Sequence, residues 1–343
     1  MSLKKQRLLD RAKKNAKKGN FDEAKEILES ILKDSPKDKE VKKELLHINQ
    51  AKKNTRATRS ELQKIISVYD EGDSKKTLKE IEKISNKFPR EPVLFNISGA
   101  CYKNLNKLEF AINSFKKALE IEPDYVEAEY NLGIALREFG QIDEAKKCYE
   151  NVLRTNHAYP NVHNNLGNIF LEHNELESAL NHFEWAVAYQ PEFTTAHNNL
   201  GSTFLALGRE KDAVRSYETV IALDPEAVQA HNNLGIAFHK LGKLDKAVEI
   251  YQKAIKLNSS YSIAYNNLGN VLRDLKKFDE AIKAYNKAIK SRPDYAEAFN
   301  NLGNIYKDMG KVKKSIEFYD KALLINPGYV EAKNNLDNAK SLK

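Results

Sequence analysis

The sequence lacks three features that would place the protein in a membrane or outside the cell. No apolar run approaches the roughly 20 residues that a membrane-spanning helix needs. The N-terminal stretch MSLKKQRLLDRAKK carries charges but has no apolar core of the kind found in signal peptides. The two cysteines, Cys101 and Cys148, are too few and too far apart in sequence for a disulfide framework. We therefore predict a protein of the reducing cytoplasm.

The sequence also lacks the motifs of enzymes and of cofactor-binding proteins. It has no glycine-rich phosphate loop, no Gly-x-Ser-x-Gly sequence and no Cys/His set at metal-ligand spacing. Acidic pairs such as Asp143–Glu144 stand at predicted helix starts, where carboxylates complement the helix dipole. The prediction is a non-enzymatic protein with no catalytic residue, no cofactor and no bound metal.

The net charge of +8 is concentrated at one end of the chain. Residues 1–57 contain 17 Lys and Arg against nine Asp and Glu, whereas the remaining residues contain 39 of each sign. Such a segment suits either a solvated N-terminal cap or an arm for an acidic partner such as nucleic acid or anionic lipid. Its basic residues are not interleaved with aromatics that could stack on bases, so nucleic acid is not the expected partner.

A segment of 34 residues recurs along most of the chain, most clearly at residues 126–159. Its copies begin at residues 58, 92, 126, 160, 194, 228, 262 and 296. Residues 5–38 resemble a degenerate copy, with Ala12, Gly19, Ala24 and Pro36 at the matching positions, and one extra helix is predicted around residues 41–52. A repeat of this length indicates stacked units. We predict a basic N-terminal segment (1–57), eight tandem repeats (58–329) and a solvating C-terminal cap helix (330–343).

Each repeat, numbered from its first residue, predicts a first helix, a tight turn and a second helix. Small residues at positions 8 and 20 let the two helices approach closely, and a large aromatic at position 24 fills the remaining space. Position 15 holds residues that tolerate the left-handed conformation at a helix end, and position 32 is usually proline, which stops the second helix. Position 8 is Gly99, Gly133, Gly167, Gly201, Gly235, Gly269 and Gly303. Position 15 is Gly72, Asn106, Gly140, Asn174, Gly208, Gly242 and Gly310. Position 24 is Phe115, Tyr149, Phe183, Tyr217, Tyr251, Tyr285 and Tyr319.

This combination of repeat length, small residues, aromatics and helix stops resembles the tetratricopeptide repeat family from about residue 58 onward. The resemblance implies an all-α fold, a right-handed α-solenoid or superhelix of tandem 34-residue helix–turn–helix repeats. It also implies that the first helices line a concave groove that binds protein segments. A helical wheel places positions 4, 7, 8 and 11 on the packed side of the first helix and positions 2, 5, 6, 9 and 13 on the opposite side.

The predicted groove side is rich in asparagine, with acidic residues at position 13. An asparagine amide can pair with both the N–H and the C=O of an extended peptide, so a regular series of amides could hold a peptide by its main chain. The candidate peptide-binding residues are Asn131, Asn164, Asn165, Asn168, Asn198, Asn199, Asn232, Asn233, Asn266, Asn267, Asn270, Asn300, Asn301, Asn304, Glu172, Asp274 and Asp308. The alternative interpretation is structural: the same amides could satisfy polar groups of neighbouring helices.

The series of amides resembles the asparagine ladder in the repeat superhelix of O-GlcNAc transferases. Three hypotheses for the function remain open. The first is an interaction scaffold that binds an extended segment of a protein in its groove. The second is the substrate-recruiting region of a larger glycosyltransferase or sulfotransferase whose catalytic part is absent. The third is self-association. The clamp that grips chaperone C-terminal carboxylates needs basic residues at positions 2, 5 and 6, and in the repeats from residue 126 onward these positions hold no such residues, so chaperone-tail binding is not expected.

The middle of the chain has an acidic and aromatic character of its own. No Lys or Arg occurs between Arg154 and Arg209, while five glutamates do: Glu172, Glu175, Glu177, Glu184 and Glu192. This predicts either an acidic band facing a basic ligand or ordinary solvated positions.

His163, His197 and His231 share position 4 of successive repeats. They are too far apart to bind one metal ion and are better suited to packing. Trp185 replaces a solvated position 26, which predicts a second contact patch or a local aromatic cluster.

Overall fold

The computed structural model describes residues 3–18, 20–53 and 56–342, and these residues form twenty α-helices and no strand. The predicted turn residue Gly19 lies outside the described residues, as do residues 54 and 55 of the polar link and the chain ends. The all-α fold of packed helix pairs that the repeats predict is confirmed. None of the described helices is long and apolar enough to cross a membrane. The chain divides into two compact units, residues 1–158 and 159–343.

The first unit contains nine helices, each packed against a neighbour in sequence. They are α1 (Leu3–Lys17), α2 (Phe21–Asp34), α3 (Lys39–Lys53), α4 (Arg59–Asp70), α5 (Ser74–Ser85), α6 (Pro92–Asn104), α7 (Leu108–Ile121), α8 (Val126–Glu138) and α9 (Ile142–Thr155). Helices α1 to α3 have a core of their own, in which Leu9, Leu28 and Val41 are fully buried. The extra helix predicted around residues 41–52 is α3.

The link between α3 and α4 is tied to the repeats by a buried carboxylate. Glu91, at the start of α6, is 4% exposed and accepts a hydrogen bond from the backbone N–H of Ala57 at 3.0 Å. The guanidinium of Arg56 lies 3.7 Å from Glu91 and 3.5 Å from Glu122. A buried carboxylate needs such partners, because an uncompensated charge in the interior is costly.

The second unit contains eleven helices built from the regular repeats. They are α10 (Pro160–Glu172), α11 (Leu176–Tyr189), α12 (Thr194–Ala206), α13 (Glu210–Leu223), α14 (Val228–Lys240), α15 (Leu244–Leu257), α16 (Ser262–Asp274), α17 (Phe278–Ser291), α18 (Ala296–Asp308), α19 (Val312–Ile325) and α20 (Val330–Ser341). Among helices α10, α12, α14, α16, α18 and α20, each contacts the next in this series. One continuous core runs from Ala179 to Ile305.

Close contact between glycine and an aromatic ring holds the two helices together in each repeat from residue 92 onward. An added Cβ at Gly269 would lie 2.5 Å from Cε1 of Tyr285, and the same short distance recurs at Gly99 against Phe115. The ring of Tyr285 is fully buried. The role predicted for positions 8 and 24 is therefore confirmed: only a residue without a side chain lets the ring reach the first helix.

The turn between the two helices has a left-handed residue at position 15 in all eight regular repeats. Seven of them were predicted from Gly or Asn, including Gly310 with φ 71° and Asn174 with φ 60°. The eighth is Lys276, with φ 60°, which the sequence does not single out. A lysine in this conformation is strained relative to glycine, so the packing of α16 on α17 imposes the turn.

The last helix, α20, is buried on one side only. Ala332, Leu336 and Ala339 are buried, with Leu336 and Ala339 packed around Tyr319 of α19. Lys333, Asp337 and Lys340 stand where the repeat pattern places core residues, and all three are exposed. A charged side chain at these positions is compatible with solvent but not with another packed helix.

Both cysteines are expected to be unreactive in the folded protein. Burial, with the Glu129 carboxylate nearby, raises the pKa of Cys148 from 9.0 to about 12, and burial also raises the pKa of Cys101. Since the thiolate is the reacting form, Cys148 should react roughly 1000-fold more slowly with a disulfide reagent than in the unfolded chain. Labelling a Cys101→Ala variant with and without guanidinium measures this. Equal rates in the two conditions would show that Cys148 is accessible and ionised in the fold.

Candidate functional site

The asparagines of the first helices form hydrogen bonds from each repeat to the one before it. The amide at position 6 donates through Nδ2 to Oδ1 of the amide at position 5 of the preceding repeat, 35 residues earlier. In the second unit the pairs are Asn199 to Asn164 at 3.0 Å, Asn233 to Asn198 at 3.2 Å, Asn267 to Asn232 at 3.0 Å, Asn301 to Asn266 at 3.0 Å and Asn335 to Asn300 at 3.0 Å. In the first unit, Asn131 donates to Asn96 in the same way at 3.0 Å. We call this series the amide ladder.

The position 5 amides are more deeply buried than a helical wheel of one repeat predicts. Asn266 and Asn300 are fully buried, and Asn232 is 3% exposed. The next first helix packs against this side, and the wheel of a single repeat does not include it. The N–H groups of Asn266 and Asn300 donate to Glu297 Oε1 at 2.8 Å and to Glu331 Oε1 at 3.0 Å.

The position 6 amides lie nearer the surface. Asn199, Asn233 and Asn267 are partly exposed, although Asn301 is 8% exposed. An asparagine amide has one acceptor oxygen and two N–H groups. At Asn267 the bond to Asn232 uses one N–H, so the side chain keeps hydrogen-bonding capacity on its partly exposed side while its orientation is fixed.

The position 9 amides accept hydrogen bonds inside the repeat or from the ladder. Asn270 and Asn304 accept from the hydroxyl groups of Tyr285 at 2.7 Å and Tyr319 at 2.8 Å. Asn168 accepts from Asn199 Nδ2 at 3.1 Å. These bonds connect the glycine–tyrosine packing of the repeat to its amide face.

The position 13 carboxylates that were expected to attract basic ligands are largely engaged within the protein. Asp274 lies 2.7 Å from His239 Nε2, and Asp308 lies 2.7 Å from Arg273 Nε. Both partners occupy position 12 of the preceding repeat, again 35 residues earlier, and Lys103 pairs with Glu138 in the same way at 3.3 Å. Glu172 is exposed at the end of α10.

Sequence reasoning missed the partners that complete these contacts. Asn96 begins the ladder in the first unit, Glu297 and Glu331 receive the buried amides, and His239 and Arg273 pair with the position 13 carboxylates. A signal was available: every ladder bond and ion pair of this kind spans 35 residues, one more than the repeat. Comparing position n with position n+1 of the next repeat would have found Asn96, His239 and Arg273, whereas the bonds to Glu297 and Glu331 span 31 residues.

An aromatic cluster surrounds Trp185 at the junction of α10 and α11. His163 is 1% exposed, its Nδ1 atom lies 3.0 Å from Nδ1 of His182, and its ring faces those of Trp185 and Tyr189.

The other position 4 histidines make hydrogen bonds to backbone carbonyl groups. His197 Nε2 lies 2.8 Å from the carbonyl oxygen of Pro191, and His231 Nδ1 lies 3.1 Å from that of Ala227. Across the described ranges, no group of three or more His, Cys, Asp or Glu is placed to hold a metal ion.

The helix pairs, the glycine–aromatic packing and the repeat-to-repeat bonds define an all-α tandem-repeat protein. The tetratricopeptide repeat profiles match residues 106–169, 164–214, 201–242, 228–261, 250–283, 269–310 and 296–329, together about two thirds of the chain. The chain belongs to the tetratricopeptide repeat family.

Similarity to individual proteins is more limited than the match to the family. The peroxisomal targeting signal receptor of Saccharomyces cerevisiae is 32% identical over 77 residues, which cover 22% of this chain and 13% of the receptor. The Candida albicans receptor of the same name is 39% identical over 57 residues, 17% of this chain and 10% of the receptor. The chain thus spans about a tenth of each relative. A tetratricopeptide repeat protein structure from Parabacteroides merdae superposes with a TM-score of 0.58 over 72% of this chain and 97% of its own, at 19% identity, and is similar in fold.

Proposed function

We propose that the protein is a non-enzymatic interaction scaffold that binds an extended protein segment along the first helices of its second unit. The observation that carries this proposal is the amide ladder, which fixes the orientation of a row of partly exposed amides. A preorganised donor and acceptor binds at lower entropic cost than a mobile one. The name of the two receptor relatives, which recognise a targeting signal, also supports a role in recognising other proteins.

The spacing of the ladder suits a main-chain interaction. Packed helices lie about 8–10 Å apart, and an extended peptide rises about 3.3 Å per residue. One position 6 amide would therefore meet about every third residue of the peptide. Amides bonded to the main chain make few demands on side chains, so the surface would accept unrelated sequences. A preference for basic side chains would come from the position 13 carboxylates, of which Glu172 lies exposed at the end of α10.

The test is a peptide array probed with the wild type and with a variant in which Asn199, Asn233 and Asn267 are changed to Ala. We expect at least tenfold weaker binding across unrelated peptides, since each amide contributes roughly 0.5–1.5 kcal/mol. The variant also loses three ladder bonds, so its thermal stability should fall. Glu172→Gln forms a separate arm of the array and should weaken binding of basic peptides only.

A destabilised control separates binding from stability. Val271→Ala removes buried side-chain atoms from α16 without removing an amide, and it should lower stability while leaving peptide affinity unchanged. If the triple asparagine variant bound peptides as the wild type does and only melted earlier, the ladder would be purely structural and the proposal wrong. Sedimentation over a range of concentrations distinguishes a monomeric binder from self-association.

A further inference from the structure

Two stacked aromatic side chains form an exposed surface on α11, away from the amide ladder of the first helices. Trp185 and Tyr189 are one helical turn apart, with ring centroids separated by 5.6 Å and planes inclined by 17°. They are 46% and 37% exposed. The Trp185 ring also lies against His163, with 6.4 Å between centroids, and His163 is buried. The buried His163 ring therefore supports Trp185 on one side, and the rest of the aromatic surface is open to solvent.

The segment of the chain that carries this surface is acidic. Residues 155–208 contain no Lys or Arg and five glutamates, and all five glutamates are exposed. Glu184 directly precedes Trp185, and Glu192 follows Tyr189 by three residues. Aromatic rings attract cations to their faces, and neighbouring carboxylates add to the same attraction. Both terms favour a positively charged ligand.

Another repeat of the chain holds a cation at the same place. In the repeat that begins at residue 92, position 26 is Lys117, and its Nζ atom lies 5.9 Å from the centroid of the Phe95 ring at position 4. In the repeat that begins at residue 160, Trp185 takes the place of Lys117 and His163 the place of Phe95. The replacement removes the lysine and enlarges the aromatic surface in a segment that contains no Lys or Arg.

We propose that Trp185 and Tyr189, in a segment whose exposed carboxylates include Glu184 and Glu192, bind an arginine side chain of a partner protein. Arginine is the better fit of the two basic side chains, because its planar guanidinium stacks on rings and is more weakly hydrated than an ammonium group. The site lies on a second helix and is independent of the peptide surface proposed above. It gives the protein a second, charge-selective contact.

Trp185 is the sole tryptophan of the chain, so its fluorescence reports on this site directly. The probe is an acetylated and amidated Gly-Arg-Gly-Arg-Gly peptide, compared with the same peptide carrying citrulline, which has the shape of arginine without the charge. We expect a saturable fluorescence change with the arginine peptide, binding at least about tenfold weaker with citrulline, and weakening as salt increases. Equal responses to the two peptides would overturn the proposal.

The fluorescence anisotropy of a fluorescein-labelled arginine peptide measures its affinity for variants of the protein, and these affinities locate the site. Trp185→Leu should weaken binding by about 5- to 30-fold with the helical signal intact, since the indole is half exposed. Leu223→Ala is the matched control, because Leu223 occupies the position of Tyr189 in the next repeat and is 45% exposed; its binding should be unchanged.

Two further measurements complete the test. The triple variant at Asn199, Asn233 and Asn267 should keep the Trp185 response, which separates this site from the amide ladder. Loss of the response in that variant, or unchanged binding in Trp185→Leu, would contradict the proposal. A response that grows with protein concentration in the absence of peptide would show that a second copy of the chain occupies the site, and would contradict the proposal too.

Discussion

Replacing Gly269 with alanine should lower the free energy of unfolding by about 2 kcal/mol, although alanine is the better helix former. The new Cβ would lie 2.5 Å from Cε1 of Tyr285, a distance that forces the ring or the helix to move. The ring is fully buried and also bonded to Asn270, so it has little room to shift. Overpacking of a core costs about 1–3 kcal/mol, and we expect the upper end, offset by about 1 kcal/mol of helix propensity. Urea unfolding followed by circular dichroism measures the difference.

Gly328→Ala is the matched control for this prediction. A Cβ at Gly328 would have Oδ1 of Asn326 as its nearest neighbour, at an ordinary distance of 3.5 Å. Its substitution should change stability by less than about 0.5 kcal/mol. If Gly269→Ala were as stable as the wild type, the close approach of the ring would not be the reason for glycine at position 8.

Raising the pH above 10 should destabilise the protein steeply. Burial raises the pKa of Tyr251 and Tyr285 above the ordinary value of 10.0 and that of Tyr319 to about 12. The folded state keeps these phenolic protons, whereas the unfolded chain releases them near pH 10. The unfolded state therefore binds fewer protons, so this stability is fully present below pH 10 and is lost as pH rises towards 12. Each such phenol lowers the free energy of unfolding by up to about 1.4 kcal/mol per pH unit in that range.

The phenolate absorbance and the helical signal, recorded together during an alkaline titration, test this dependence. The buried tyrosines should ionise only as the helices are lost. Tyr285→Phe should reduce the slope of stability against pH. Full ionisation of all tyrosines with the helical signal intact would refute the burial argument.

Much of the fold could be predicted from the sequence because it depends on contacts within one repeat. Gly269 and Tyr285 are 16 residues apart in one helix pair, and their relation recurs often enough to be read from residue types alone. Lys276 could not be predicted, because its left-handed conformation follows from how α16 and α17 pack and not from any preference of lysine.

The candidate site was predictable in composition but not in arrangement. The amides were found from their repetition, yet which of them are buried depends on how neighbouring first helices dock. Asn266 looks open on the wheel of a single helix and is fully buried once α18 packs beside it. The ion pair of Asp308 with Arg273 also joins one repeat to the next. The sequence of a single repeat therefore does not show that a position 13 carboxylate is already paired.

The 35-residue spacing of the ladder bonds determines which insertions and deletions of sequence preserve them. Donor and acceptor of each ladder bond lie in neighbouring copies, and each copy from α12 to α18 carries one of each. Duplicating or deleting one whole repeat in this part of the chain would therefore join a position 6 donor to a new position 5 acceptor and break no ladder bond. A change in length by whole repeats therefore preserves the amide ladder, whereas an insertion inside a first helix would shift the position 5 and position 6 amides relative to their partners.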